Sequence, residues 1–120
     1  MKNSAIKSIW IILPIVLFFL SSYASSQQNQ IESRDAEFYN NRGMAFRDKS
    51  QYDGAISDYS KALEINPRFA EAYNNRGRAY YLKGKYDKSL EDIKKAQDLG
   101  YNIPPKFIED LRKISEKQKK

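Results

Sequence analysis

A ten-residue phrase occurs twice in this chain, 34 positions apart: residues 37–46 read EFYNNRGMAF and residues 71–80 read EAYNNRGRAY. Laid over one another, residues 36–69 and 70–103 agree at 14 of 34 positions. A fixed period of this length restricts a chain to stacked supersecondary units, and 34 residues is the length of a helix–turn–helix unit. The local pattern agrees. Ala36, Tyr39, Gly43 and Phe46 recur at the three- and four-residue steps of one helix face, and Ala55, Ile56, Tyr59, Ala62 and Leu63 do so over residues 53–65. Asn66-Pro67 ends that second segment, because the residue before a proline avoids the helical region. The next unit repeats the layout, with a helix over 70–83, a Gly84-Lys85 turn and a helix over 86–99 closed by Gly100.

These residues resemble the tetratricopeptide repeat family. Tyr39, Gly43, Phe46, Ala55, Tyr59, Ala62 and Pro67 fill the family's pattern of sizes in the first unit. Tyr73, Gly77, Tyr80, Ser89, Ile93 and Ala96 fill it in the second, and NNRG followed by DYSKALEINP is a common form of the repeat. Arg42 and Arg76 depart from it, standing where leucine is usual, and Tyr101 stands where a closing proline is expected. The resemblance covers residues 36 to about 103. It implies an all-α fold of two tetratricopeptide-type helix–turn–helix repeats, 36–69 and 70–103, with residues 104–120 as a C-terminal capping helix, together a short right-handed α-solenoid.

Each residue type has a physical reason to be where it is. Gly43 and Gly77 lack a Cβ and let the second helix of each unit approach the first, while Ala62 and Ala96 do the same from the other side. Tyr39, Phe46, Tyr59, Tyr73 and Tyr80 fill the remaining space, with hydroxyls able to reach water or a partner. Their helical spacing marks them as core rather than a base-stacking platform. Asp58 and Asp92 repeat at the same period as Arg42 and Arg76, so each arginine is expected to pair with one of these aspartates, in its own or the neighbouring unit. Pro104-Pro105 opens the last helix. Phe107, Ile108, Leu111 and Ile114 form its apolar stripe, and Leu111 falls where the glycines fell, which forbids another close pair. Two units and a cap lie near the lower limit for such stacks, so the fold is expected to be marginal alone or to self-associate through its open first-helix end.

The first 24 residues follow a different rule. Lys2 and Lys7 precede an apolar run, Ile9–Leu20, and the small Ser22 and Ala24 then suit a cut after Ala24: the order of a secretory signal peptide. Twelve apolar residues interrupted by Pro14 fall short of the ~20 of a spanning helix. An uncleaved anchor over residues 9–24 is the alternative. Residues 25–35 are read as a flexible leader, rich in Ser and Gln. The working domain is therefore expected to be exported, to the periplasm or outside the cell.

The sequence has no Cys and no His, which removes thiol nucleophiles, His bases and the usual zinc sites; no catalytic residue, cofactor or metal is expected. The net charge of +6 is modest and mixed in sign, weak grounds for a nucleic-acid partner. A non-enzymatic interaction module is the leading reading, an adaptor or chaperone-like factor with a protein or peptide partner. Self-association as a scaffold, or binding to an anionic surface through the basic tail (Arg112, Lys113, Lys117, Lys119, Lys120), are the alternatives. In stacked repeats the first helices line the concave side. The residues expected to meet a partner there are Asn40, Met44 and Arg47 from the first unit and Asn74, Asn75, Arg78 and Tyr81 from the second, with the asparagines facing the concavity. Some family members grip a terminal carboxylate with a set of Lys, Asn and Arg. Here only Asn75 matches that set, so such a clamp is not expected.

Overall fold

The computed structural model describes residues 2–120, with side chains from Ala5 onward; Met1 and the Lys2 side chain, part of the signal peptide read from the sequence, lie outside the described residues. Among the described residues there are five helices and no strand: α1 Lys2–Asp48, α2 Tyr52–Ile65, α3 Ala70–Leu82, α4 Tyr86–Asp98 and α5 Pro105–Gln118. The chain divides into two compact units, Met1–Glu32 and Ser33–Lys120.

The first unit is helical throughout its described part and exposes its apolar side chains, Trp10 and Phe18 at 71%. By length and composition α1 is apolar enough near its N-terminus to cross a membrane. Two features differ from the sequence reading. Pro14 sits inside α1 without ending it: a proline removes a single i→i−4 bond, and the bonds on either side carry the helix through. Residues 25–35, read as a flexible leader, are helical as well. No glycine or proline occurs between Pro14 and Gly43. The Gln28 amide also supports this stretch one turn on, donating to Glu32 at 3.0 Å.

The second unit is an all-α solenoid built from the last turns of α1 and from α2–α5. The glycines set its spacing. A Cβ on Gly43 would lie 2.7 Å from the Tyr59 ring and 3.2 Å from the Ala55 carbonyl oxygen. One on Gly77 would lie 2.9 Å from Ile93 and 3.2 Å from the Ser89 carbonyl oxygen. Around these approaches the core forms three linked clusters. Ala55, Tyr59 and Ala79 pack with Met44, Phe46 and Ile56. Ala62, Leu63 and Ala72 pack with Tyr39, Phe69 and Tyr73. Ile93, Ala96, Ile103 and Leu111 pack with Tyr81, Tyr101 and Phe107. Leu111, 1% exposed, brings α5 onto the second repeat as the cap the sequence implies. The Tyr59 hydroxyl, expected to reach water or a partner, is instead buried without a hydrogen bond, and burial pushes the phenol up to about 12. The ring fills the space that Gly43 leaves, and its depth carries the hydroxyl out of water's reach.

Both arginine–aspartate pairs form within their own repeats. Arg42 donates to Asp58 through Nε and Nη2 at 2.7 and 2.8 Å, and Arg76 does the same to Asp92 at 2.7 and 2.8 Å. Arg76 adds a bond across the repeat boundary, Nη1 to Ser60 Oγ at 3.0 Å. The bidentate bond to its aspartate is the main cause that raises each guanidinium above its ordinary value. These are the residues that replace the family's usual leucines, so a planar ion pair braces each helix hairpin there.

Helices α1, α3 and α4 end alike. In each the chain turns through a left-handed residue, Ser50 (φ 59), Gly84 (φ 75) or Gly100 (φ 93). A bond then closes back around the end: Gln51 N–H to Phe46, Lys85 N–H to Tyr80 and Tyr101 N–H to Ala96, each at 2.9 Å. Tyr101, out of place by the family pattern, thus belongs to a glycine stop instead of a proline exit. Ser50 is the one non-glycine of the three, and a side chain is strained in this region. Ser50→Gly is expected to stabilise the fold by about 0.5–1 kcal/mol. Gly84→Ala, at the equivalent position, is expected to destabilise it by about 1 kcal/mol or more. Paired urea titrations check both signs, and equal midpoints would remove the strain at Ser50.

Candidate partner-binding groove

The seven residues expected to face a partner divide into two sets. Asn40, Asn74 and Asn75 are 2%, 3% and 6% exposed, which corrects the expectation that they line an open concavity. The Asn75 amide donates to Asn40 Oδ1 at 3.0 Å, and the Asn40 amide donates to Glu71 at 3.3 Å. Asn74 accepts from Arg78 Nε at 3.2 Å. A buried amide must find partners inside the protein, and here the second asparagine of one repeat bonds the first asparagine of the other. The doubled NN therefore joins α1 to α3. Met44 is half-buried against the Tyr59 cluster and serves mainly as packing.

Arg47, Arg78 and Tyr81 do come together. With Leu82 and Phe107 they line an open groove of about 440 Å³ where α1, α3 and α5 meet. Helical spacing explains the convergence: Arg78, Tyr81 and Leu82 lie three and four residues apart on one face of α3. The Arg78 guanidinium lies 5.3 Å from the centre of the Phe107 ring, and the Tyr81 and Phe107 rings are 6.0 Å apart. Among the described residues Arg47 pairs with its neighbour Asp48, at 3.2 Å; such a pair is weak enough to exchange for a ligand carboxylate. The floor is aromatic and aliphatic and the rim carries two guanidiniums. Phe107 was not among the expected residues, because its place in the apolar stripe of α5 marked it as core. It is half-buried, packing on Tyr81 while bordering the groove.

A family model described as TPR repeat matches residues 43–84, and one described as tetratricopeptide repeat matches residues 70–99. The chain belongs to the tetratricopeptide repeat family over these residues. The tetratricopeptide repeats over residues 43–99 support a protein–protein interaction module. Among 50 matching chains of solved structures is the first TPR of Spaghetti (RPAP3) bound to HSP90 peptide SRMEEVD. It is 20% identical with a TM-score of 0.40, the match covering 73% of this chain and 96% of that one. No curated protein sequence matches the chain.

Proposed function

We propose that this tetratricopeptide repeat protein is an exported, non-enzymatic adaptor or assembly factor that binds a peptide or helix of a partner protein in the groove between α1, α3 and α5. One observation carries the reading: Arg47, Arg78, Tyr81, Leu82 and Phe107 converge on one open groove. The apolar floor suits an aromatic or aliphatic side chain, and the two arginines suit an acidic side chain beside it. A terminal-carboxylate clamp gains no support, since Asn75 is occupied by Asn40. Lys7, the apolar run to Leu20 and the small Ser22 and Ala24 support export, with cleavage after Ala24; retention of residues 9–24 as a membrane anchor is the alternative. The mass of the protein recovered from its native host separates the two, since a cleaved chain begins at Ser25.

Selection of random peptides against the full chain tests the groove. Enriched peptides are expected to place Asp or Glu next to a large apolar residue. Replacing both Arg47 and Arg78 by Glu is expected to weaken their binding at least ~10-fold, by opposing like charges. Peptides without acids, or binding indifferent to the double reversal, would move the partner site elsewhere.

A further inference from the structure

We infer that the outward face of α1 in the repeat unit is a self-complementary docking surface for a second copy of this chain. The repeat itself shows what such a face does. In α3 the equivalent residues Ala72 and Ala79 are 0% exposed, covered by Ala62, Leu63, Ala55 and Tyr59 of α2. Arg76 there also reaches Ser60 of α2. Within the unit Ser33–Lys120 no helix precedes α1. Its corresponding residues, Phe38 and Ala45, are exposed, Phe38 at 57%.

The stripe is Arg34, Phe38, Asn41, Ala45 and Asp48, all exposed and spaced four, three, four and three residues apart on one helix face. Its order decides the occupant. Read backwards, the stripe meets its complement: Arg34 opposes Asp48, Asn41 opposes itself, and Phe38 falls within one residue of Ala45. An antiparallel pair of α1 helices, with its two-fold axis at Asn41, thus matches charge to charge and large to small, and sets two amides able to bond one another. Among the described residues Asp48 pairs with Arg47 in an exposed contact, so exchanging that partner for Arg34 of a second copy costs little. Burying two Phe38 rings also removes the large apolar side chain that this face exposes to water.

The chain has no cysteine, so Asn41→Cys introduces a single thiol. In cells expressing the full chain, mild oxidation is expected to yield a covalent dimer at twice the monomer mass, because the two-fold axis brings the thiols within the short reach of a disulfide. Lys94→Cys, at an exposed position of α4, is expected to yield none. Adding Phe38→Glu should lower the dimer at least ~10-fold while leaving the helical content of the chain unchanged. Adding Arg34→Asp should lower it several-fold, and combining that change with Asp48→Arg should restore it. A parallel pair, which keeps position 34 beside 34, would show no such rescue and would overturn the proposal. So would an Asn41→Cys dimer no stronger than that from position 94, or a crosslink only to a different protein. None of the residues altered here lines the groove, and the Asn41, Phe38 and Arg34 variants leave Arg47 and its partner Asp48 in place, so their result and the peptide selection succeed or fail separately.

Discussion

Gly77→Leu is expected to destabilise the repeat unit by about 3 kcal/mol, near the top of the range for overpacking a close helix contact. The site has no room to give. Even a Cβ would stand 2.9 Å from Ile93, itself 0% exposed, and 3.2 Å from the backbone at Ser89. A leucine must therefore separate α3 from α4 and open the cluster that α5 seals. For a domain of this size each kcal/mol moves the melting temperature by roughly 4–8 °C, so a fall on the order of 15 °C is the expected reading. Gly77→Ala makes the comparison informative. Alanine gains about 1 kcal/mol of helix propensity, so a net loss for Ala isolates the steric cost from the backbone preference. Unchanged melting for Leu would mean that close approach is not what the glycine serves.

The second large effect belongs to Arg76. Its removal leaves the Asp92 carboxylate, 5% exposed, without both of its guanidinium donors, and also cuts the link to Ser60. Arg76→Ala is expected to cost about 3 kcal/mol, because an uncompensated buried charge is worse than no ion pair. A double-mutant cycle with Asp92→Ala should show coupling of about 2 kcal/mol. Coupling near zero would place the pair among exposed ion pairs of no consequence. Arg76→Lys keeps the charge but loses the planar fork, so it is expected to fall between wild type and Ala. The same test on Arg42 is expected to give a smaller loss, since its side chain is 46% exposed and it has no bond to Ser60.

The fold was largely legible in the sequence because repetition supplies its own control. Gly43 and Gly77, Arg42 and Arg76, and Asp58 and Asp92 each occur at one period, and a role inferred at one member could be checked at the other. The asparagines were misread for the same reason. Asn40 and Asn74 look equivalent, as do Asn41 and Asn75, yet the bond that forms runs from Asn75 to Asn40, between unlike positions in successive repeats. No pattern within one helix shows such a bond. The helix over 25–35 was missed because composition alone argued for disorder, whereas the lack of any helix breaker between Pro14 and Gly43 decided it. Phe107 was hidden because a stripe of apolar residues says which face is buried, not which member borders a groove. Arg47, Arg78 and Tyr81 line one groove because the first helices of stacked repeats share one side.

The repeat positions hold the fold, while the groove they leave between α1, α3 and α5 is available to a partner. The most direct test of that division is photo-crosslinking in living cells from a reactive residue placed at Tyr81, set against one at Lys94 on α4, with products identified by mass spectrometry. The account predicts one discrete foreign protein captured from position 81, absent from position 94, and lost when Arg47 and Arg78 are both reversed to Glu. Capture from position 94 alone, or capture from position 81 that survives the reversal, would contradict it.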